Sequence, residues 1–150
     1  MGVNFVVDEN GNPVRVLLDM ADYERLLDRA EDAESTELLR KLNDNDPSYI
    51  ALDELDYEPM DAEISSHKIL LDKRAAAQLN ALEKAPAGQL AEQLSYLSAN
   101  PRPQECRKVM GTRRLFRLTN GDYRILYSVD DEQNAVYIHA VGDRRSIYRL

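Results

Sequence analysis

GDYRILYSVDDEQNAVYIHAVGDRRSIYR, residues 121–149, is the stretch whose reading decides the fold. Between residues 123 and 129 side chains alternate with the period of a strand: Ile125, Tyr127 and Val129 fall on one face, Arg124, Leu126 and Ser128 on the other. Just upstream, Asn120-Gly121 is a strong signal for a two-residue hairpin turn, and it joins this strand to a second over residues 114–119. An acidic turn at 130–133 leads to an apolar strand at 135–141, and residues 146–149 read as a short last strand. A sheet made of such hairpins packs one face on another layer and leaves the other face open, which puts Arg124 on the open side.

Working back toward the N-terminus, Lys68-Ile69-Leu70-Leu71 reads as a further strand. A helix with Ala75, Leu79 and Leu82 on one side follows and breaks at Pro86. A second helix aligns Leu90, Leu94 and Leu97 and ends near Asn100-Pro101. With Ala85-Pro86-Ala87-Gly88 as the connection, the two form an antiparallel helical hairpin whose leucine stripes are core. At the start of the chain, β-branched runs at 3–7 and 14–18 flank the turn-forming DENGNP, giving a β-hairpin. Asp19 or Asp22 then caps a helix with Tyr23, Leu26, Leu27 and Ala30 at i, i+3, i+4 and i+7. A hairpin and one helix enclose little apolar surface, so this piece leans on a partner or dimerises. From Glu31 to Glu63 the chain is acidic, with a short helix around 37–42 and a break at Asp46-Pro47. Tyr49, Ile50, Leu52, Leu55 and Tyr57 interrupt the acids at intervals, as anchors do in a segment that wraps another surface. The fold class is α+β: an N-terminal β-hairpin plus helix and acidic wrapping segment, then a helical hairpin packed on a small antiparallel β-sheet. Three regions follow: 1–34, 35–66 and 67–150.

The net charge of −8 over 150 residues hides a division. Residues 1–66 carry 18 acidic and five basic side chains, residues 67–150 nine acidic and 14 basic. Halves of opposite sign imply that one half binds the other, or mimics what the other binds. The late basic residues, Arg107, Lys108, Arg113, Arg114, Arg117, Arg124, Arg144, Arg145 and Arg149, are interleaved with Tyr123, Tyr127, Tyr137 and Tyr148. Guanidinium groups contact phosphates, and tyrosines stack on bases or donate a proton.

With 43% hydrophobic and 31% charged residues the chain is neither disordered nor membrane-spanning, and a cytoplasmic location is expected. One cysteine, Cys106, excludes an internal disulfide, and two histidines, His67 and His139, are too few for the usual zinc site. No metal and no cofactor are expected. There is no glycine-rich phosphate loop, no nucleophile elbow and no paired-histidine helix. His139 reads as a packed or surface residue and Cys106 as a passive one. A nuclease built from what remains would orient a ribose 2′-hydroxyl in line and stabilise the phosphorane with guanidinium groups, with tyrosine or arginine as an imperfect acid or base.

Residues 121–149 resemble the C-terminal signature of the RelE/ParE toxin superfamily: a Gly-Asp-Tyr-Arg strand, an acidic turn, an apolar strand, Val-Gly-x-Arg-Arg and a late tyrosine. ANPRPQECRKVMGTRRLFRL, residues 99–118, fits the same pattern, and the resemblance extends over 67–150. VVDENGNPVRVLLDMADYERLLDRAED, residues 6–32, is similar to the RelB or Phd/YefM antitoxins, with residues 1–34 as a dimerisation module. NDPSYIALDELDYE, residues 45–58, is similar to their acidic toxin-wrapping tails, within a neutralising segment and tether at 35–66. The resemblance implies an antitoxin–toxin fusion in which a ribosome-dependent mRNA endoribonuclease, forming a 2′,3′-cyclic phosphate without metal, is held inactive. It implies Arg117, Arg124, Arg144 and Tyr148 as catalytic residues, Lys108, Arg113, Arg114 and Arg145 as RNA-binding, and Tyr49, Ile50, Leu52, Leu55 and Tyr57 as inhibitory anchors. The implied partners are the chain's own N-terminal segment, in cis or in a swapped dimer, the ribosome and mRNA on release, and a second copy. Operator DNA is disfavoured, because the strand and helix that precede this pattern in Phd/YefM antitoxins are absent. Arg117 stands where ribosome-dependent members carry lysine, Thr119 replaces a second lysine, and Asp143 occupies a commonly basic position. These departures leave a ParE-like gyrase inhibitor and a catalytically degenerate regulatory assembly as alternatives.

Overall fold

Asp8 makes the first reversal of the chain. Its carboxylate accepts the backbone N–H groups of Asn10 and Asn12, each at 2.9 Å, and Gly11 takes a φ of +83° that a side chain would resist. This turn joins β1 (Asn4–Val7) to β2 (Pro13–Leu17) as a separate two-stranded sheet. The computed structural model describes residues 3–43, 49–52, 55, 67–110, 112 and 114–149. Tyr57 and Arg113 therefore lie outside the described residues.

The hairpin leads into α1 (Met20–Asn43), one helix of 24 residues where the sequence suggested two short ones. No Pro or Gly falls inside 20–43, so nothing separates the two periodic stretches and the helix runs across the expected boundary at 34/35. The apolar stripe expected near its start is exposed, Tyr23 at 47%, Leu26 at 43% and Leu27 at 39%, whereas Leu38 and Leu42 near its end are buried. A short β3 (Tyr49–Ala51) follows.

The second half of the chain begins with β4 (Lys68–Asp72), α2 (Lys73–Ala81) and α3 (Lys84–Ala99). Asp72 caps α2 by accepting the N–H of Arg74 at 2.8 Å. The helices join at Leu82-Glu83, earlier than the expected 85–88 loop. Pro86 sits in the first turn of α3, where an N–H has no intrahelical acceptor and its loss costs nothing. Next come β5 (Cys106–Lys108), β6 (Leu115–Asn120), β7 (Tyr123–Asp130), β8 (Ala135–Asp143) and α4 (Arg144–Ile147). The tight turn between β6 and β7 is Gly121-Asp122, one residue later than expected, with Asn120 paired to Tyr123 and Gly121 at φ +59°. Residues 144–147 form a helical turn instead of part of a last strand. Asp143 accepts the N–H of Arg145 at 2.6 Å and so caps the turn, and the N–H of Arg144 donates to Asp122 O at 2.7 Å.

The main sheet has the order β3-β4-β8-β7-β6-β5. It is mixed rather than wholly antiparallel, because β4 pairs with β8 in parallel. A parallel pair requires a long crossover, and here the chain spends α2, α3 and three strands between the two partners. One face packs under α2 and α3, with Leu79, Leu90, Leu94 and Leu97 against Ile125, Tyr127 and Ile138. The other face, expected to be open, is covered by the end of α1: Leu38 and Leu42 pack on Leu115, Leu126, Ala140 and Ile147. Two layers thus become three. Burying each of those leucines contributes about 1.5–3 kcal/mol to holding α1 down.

Candidate functional site

Above Leu38 the same face of α1 turns polar. Asp28, Glu31, Ser35, Leu38 and Leu42 follow one another at spacings of three and four, so acids occupy the stripe that faces the sheet. Across from them stand Arg117 on β6 and Arg124 on β7, which the strand alternation places on the α1 side. Arg124 Nε donates to Glu31 Oε1 at 2.5 Å, and Arg117 Nη1 donates to Asp32 Oδ1 at 2.6 Å. Arg117 also lies 3.7 Å from Glu31 and from Asp28, and Arg144 Nε is 3.7 Å from Glu31 Oε2. Arg107 pairs with Asp28 at the rim.

Tyr148 completes the ring. Its hydroxyl donates to Glu31 Oε1 at 2.9 Å and lies 3.1 Å from Ser35 Oγ. Burial, reinforced by the charge of Glu31, pushes the phenol pKa well above its usual value, so Tyr148 is a proton donor in this state. Arg117 and Glu31 are only 2% and 5% exposed. Charges so far from water are tolerable because each faces several partners, and removing one partner of such a group costs on the order of 3–5 kcal/mol.

Arg124 is aimed from below. Its Nη1 donates to Gly121 O at 2.8 Å and Tyr123 O at 3.0 Å, tying the guanidinium to the β6–β7 turn. Three guanidinium groups and a phenol therefore converge on one carboxylate. Chemically, such a set of donors can hold an anionic group other than a carboxylate, since non-bridging phosphate oxygens accept from the same donors. Among the described residues no group of three or more His, Cys, Asp or Glu is placed to hold a metal ion.

The structure thus brings Arg117, Arg124, Arg144 and Tyr148 together. Lys108, Arg114 and Arg145 are exposed, and Arg145 lines one surface pocket together with Arg144 and Tyr148. Tyr127 points the other way, into the core, with its hydroxyl on Pro101 O at 2.8 Å. The acids reaching the arginines are Asp28, Glu31 and Asp32 of α1, which sequence reasoning missed. The signal was present as the polar continuation of the Leu38/Leu42 stripe. The expected anchors sit elsewhere: Tyr49–Ala51 adds an edge strand to β4, Tyr49 packs on Tyr137 with ring centroids 4.9 Å apart, and Ile50, Leu52 and Leu55 join the α2/α3 core. Asp143 has a structural task as the cap that positions Arg144 and Arg145, and Thr119 lies exposed opposite Arg124 in the β6–β7 register.

His139 accepts or donates a 2.8 Å hydrogen bond with Ser128 Oγ, and burial pushes its pKa down to about 4, with Arg74 assisting and Asp72 opposing. The folded state therefore binds this proton less readily than the unfolded chain, whose histidine titrates near 6.5. Stability contributed by neutral His139 is full above pH 6.5 and declines as pH falls toward 4, by about 3 kcal/mol in all. Urea midpoints of the intact chain and His139→Gln between pH 7.5 and 4.5 should diverge accordingly, the variant showing the shallower decline.

The family model for the ParE toxin of the type II toxin–antitoxin system parDE matches residues 69–148. The chain belongs to this toxin family. No curated protein matches the sequence. Among solved structures, it is similar to a chain of the archaeal RelE–RelB complex from Pyrococcus horikoshii OT3, at 28% identity over 54% of this chain and 98% of that one, TM-score 0.48. It is also similar to a chain of the intact E. coli RelBE toxin–antitoxin complex, at 26% identity over 50% and 93%, TM-score 0.46. A third similarity is to the RelBE2 complex of Mycobacterium tuberculosis, at 24% identity over 54% and 100%, TM-score 0.44. No helix among the described residues is long and apolar enough to cross a membrane.

Proposed function

We propose that the chain is an antitoxin–toxin fusion in which residues 67–150 form a ribosome-dependent mRNA endoribonuclease that residues 1–66 neutralise in cis. The observation that carries this reading is the Glu31 carboxylate seated among Arg117, Arg124, Arg144 and Tyr148. An acid of the negative half occupies the point where the positive half would hold a scissile phosphate. In the released state Arg124 and Arg117 stabilise the charge that develops as a 2′-oxygen attacks phosphorus, Arg144 holds the phosphate from the rim, and the Tyr148 phenol exchanges a proton with the ribose or leaving oxygen. Lys108, Arg114 and Arg145 guide the RNA backbone.

The neutralising contacts differ in kind. α1 masks the charged site, while Tyr49 and Ile50 fasten the segment to the sheet edge as part of an added strand and Leu52 and Leu55 pack into the α2/α3 core. Because the inhibitor is tethered, its effective concentration reaches the millimolar range, and modest intrinsic affinity suffices. Cell-free translation with residues 63–150 and with the intact chain tests the reading: codon-phased cuts in ribosome-bound message by the shorter protein alone are expected, and a folded but silent shorter protein would sink it. The ParE family match favours a second reading, inhibition of DNA gyrase by binding, in which damage appears in DNA.

Residues 1–34 serve as a dimerisation module in this proposal. Phe5 and Val16 form a cross-strand pair on one face of the β1–β2 hairpin, Val3, Val6, Val7, Val14 and Leu17 are exposed with them, and so is the Tyr23/Leu26/Leu27 stripe. Six exposed large apolar side chains on strands of four and five residues, with Val3 just before them, are more than a soluble surface usually carries singly, and such a concentration supports an interface. Sedimentation of the intact chain should give a dimer, and Phe5→Asp with Val16→Asp, a cross-strand pair, should give a monomer with unchanged secondary structure.

A further inference from the structure

On the side of the sheet that packs under α3, α3 and the end of β6 line an open pocket of about 510 Å³, within the size range of small-ligand sites. α3 contributes Gln93, Tyr96 and Asn100, which share one helix face, and the facing wall contributes Glu105 and Asn120. Leu97 and Leu118 supply the apolar part.

Its chemistry is specific. Among the described residues no Lys or Arg lines it and Glu105 does, so a phosphate finds no partner there, and the wall favours a group without negative charge that donates hydrogen bonds. Three carboxamides each offer a donor beside an acceptor, the pattern that reads the edge of a base. Tyr96 is 60% exposed and presents an aromatic ring for stacking. Among the described residues, Gln93 Oε1 is a buried oxygen without a hydrogen-bond donor, a state that favours taking one from a bound group after a small rotation of the amide. The location is also specific. Asn120 is followed by Gly121, whose carbonyl accepts from Arg124 Nη1 at 2.8 Å, so the cavity and the arginine site meet at one turn.

We propose that this cavity is a nucleobase pocket, taking one unpaired base of a single-stranded RNA that stacks on Tyr96 and is hydrogen-bonded along its edge by Gln93, Asn100 and Asn120. Its use as a sequence-selecting pocket next to a cleaved phosphate rests on the ribonuclease reading above. The binding itself does not, and since α1 covers the opposite face, the pocket is accessible in the intact, neutralised chain.

The test is titration of the intact chain with adenosine, guanosine, cytidine and uridine, followed by saturation-transfer NMR. Nucleosides lack the phosphate that the arginines would hold. Saturable binding of at least one nucleoside is expected, weakened about tenfold or more in Tyr96→Ala. Tyr96 is exposed, so this variant keeps the fold. Absence of saturable binding by all four, or binding indifferent to Tyr96→Ala, overturns the proposal. Nucleoside binding by a chain whose released form leaves message intact keeps the pocket and removes the ribonuclease. Message cleavage without nucleoside binding does the reverse.

Discussion

Asp28→Asn, Glu31→Gln and Asp32→Asn together should turn a silent chain into one that cuts ribosome-bound message. The argument is electrostatic. Arg117 and Arg124 are 2% and 9% exposed and face these three carboxylates. Converting the acids to amides of the same shape leaves buried guanidinium charge without its counter-charge, at a cost on the order of 3–5 kcal/mol for each broken pairing. What remains to hold α1 is chiefly the packing of Leu38 and Leu42, worth a similar amount in total, with the hydrogen bonds between Ser35 and Tyr148 and from Arg74 to Leu42 O beside it. The open population should therefore rise by about 10²-fold or more, since 1.4 kcal/mol is a factor of ten. Hydrogen exchange in the middle of α1 reports the opening, and cell-free translation reports the activity. Retaining the whole chain keeps Leu115, Leu126 and Ile147 covered much of the time, which the truncated protein does not. Fast exchange without cleavage would count against the ribonuclease; unchanged exchange would show that the ion pairs do not hold the helix.

Within that released chain, Arg124→Ala should lower cleavage by about 10²–10³-fold, the loss typical of removing one preorganised donor from a developing oxyanion. Arg124 is the arginine most firmly aimed, by two backbone carbonyls as well as Glu31. Tyr148→Phe should cost about 10²-fold if the phenol transfers a proton. Ring and packing are preserved in that substitution, and the lost hydrogen bond runs to Glu31 and Ser35, which belong to the closed state. The same pair separates the two targets. A gyrase-binding toxin would lose nothing at Tyr148→Phe and would leave message whole while DNA damage accumulates.

Much of the toxin domain was legible because its signals are local. Alternation fixes which side of β7 carries Arg124, and the Leu90/Leu94/Leu97 stripe marks the buried side of α3 whatever it packs on. Local signals also misled where a tertiary partner overrode them. Tyr23, Leu26 and Leu27 have the spacing of a buried stripe and are exposed, while the buried turns of α1 carry Glu31, Asp32 and Ser35, which composition assigns to solvent. Residues 146–149 read as a strand, but the Asp143 cap and the tie from Arg144 N to Asp122 O wind the start of this stretch into a turn that brings Tyr148 to Glu31.

By itself the sequence determined the hairpins, the α2–α3 helical hairpin, the sidedness of the strands and the opposition of charge between the two halves. These follow from side-chain periodicity and from sums over the chain, which need no coordinates. Only the tertiary structure decided which acids meet which arginines. Asp28, Glu31 and Asp32 lie roughly 80–120 residues from Arg117, Arg124 and Arg144, and their pairing depends on α1 being one unbroken helix laid across a sheet face. No spacing rule links positions so far apart; the match is made when burying Leu38 and Leu42 fixes the helix in register over the sheet.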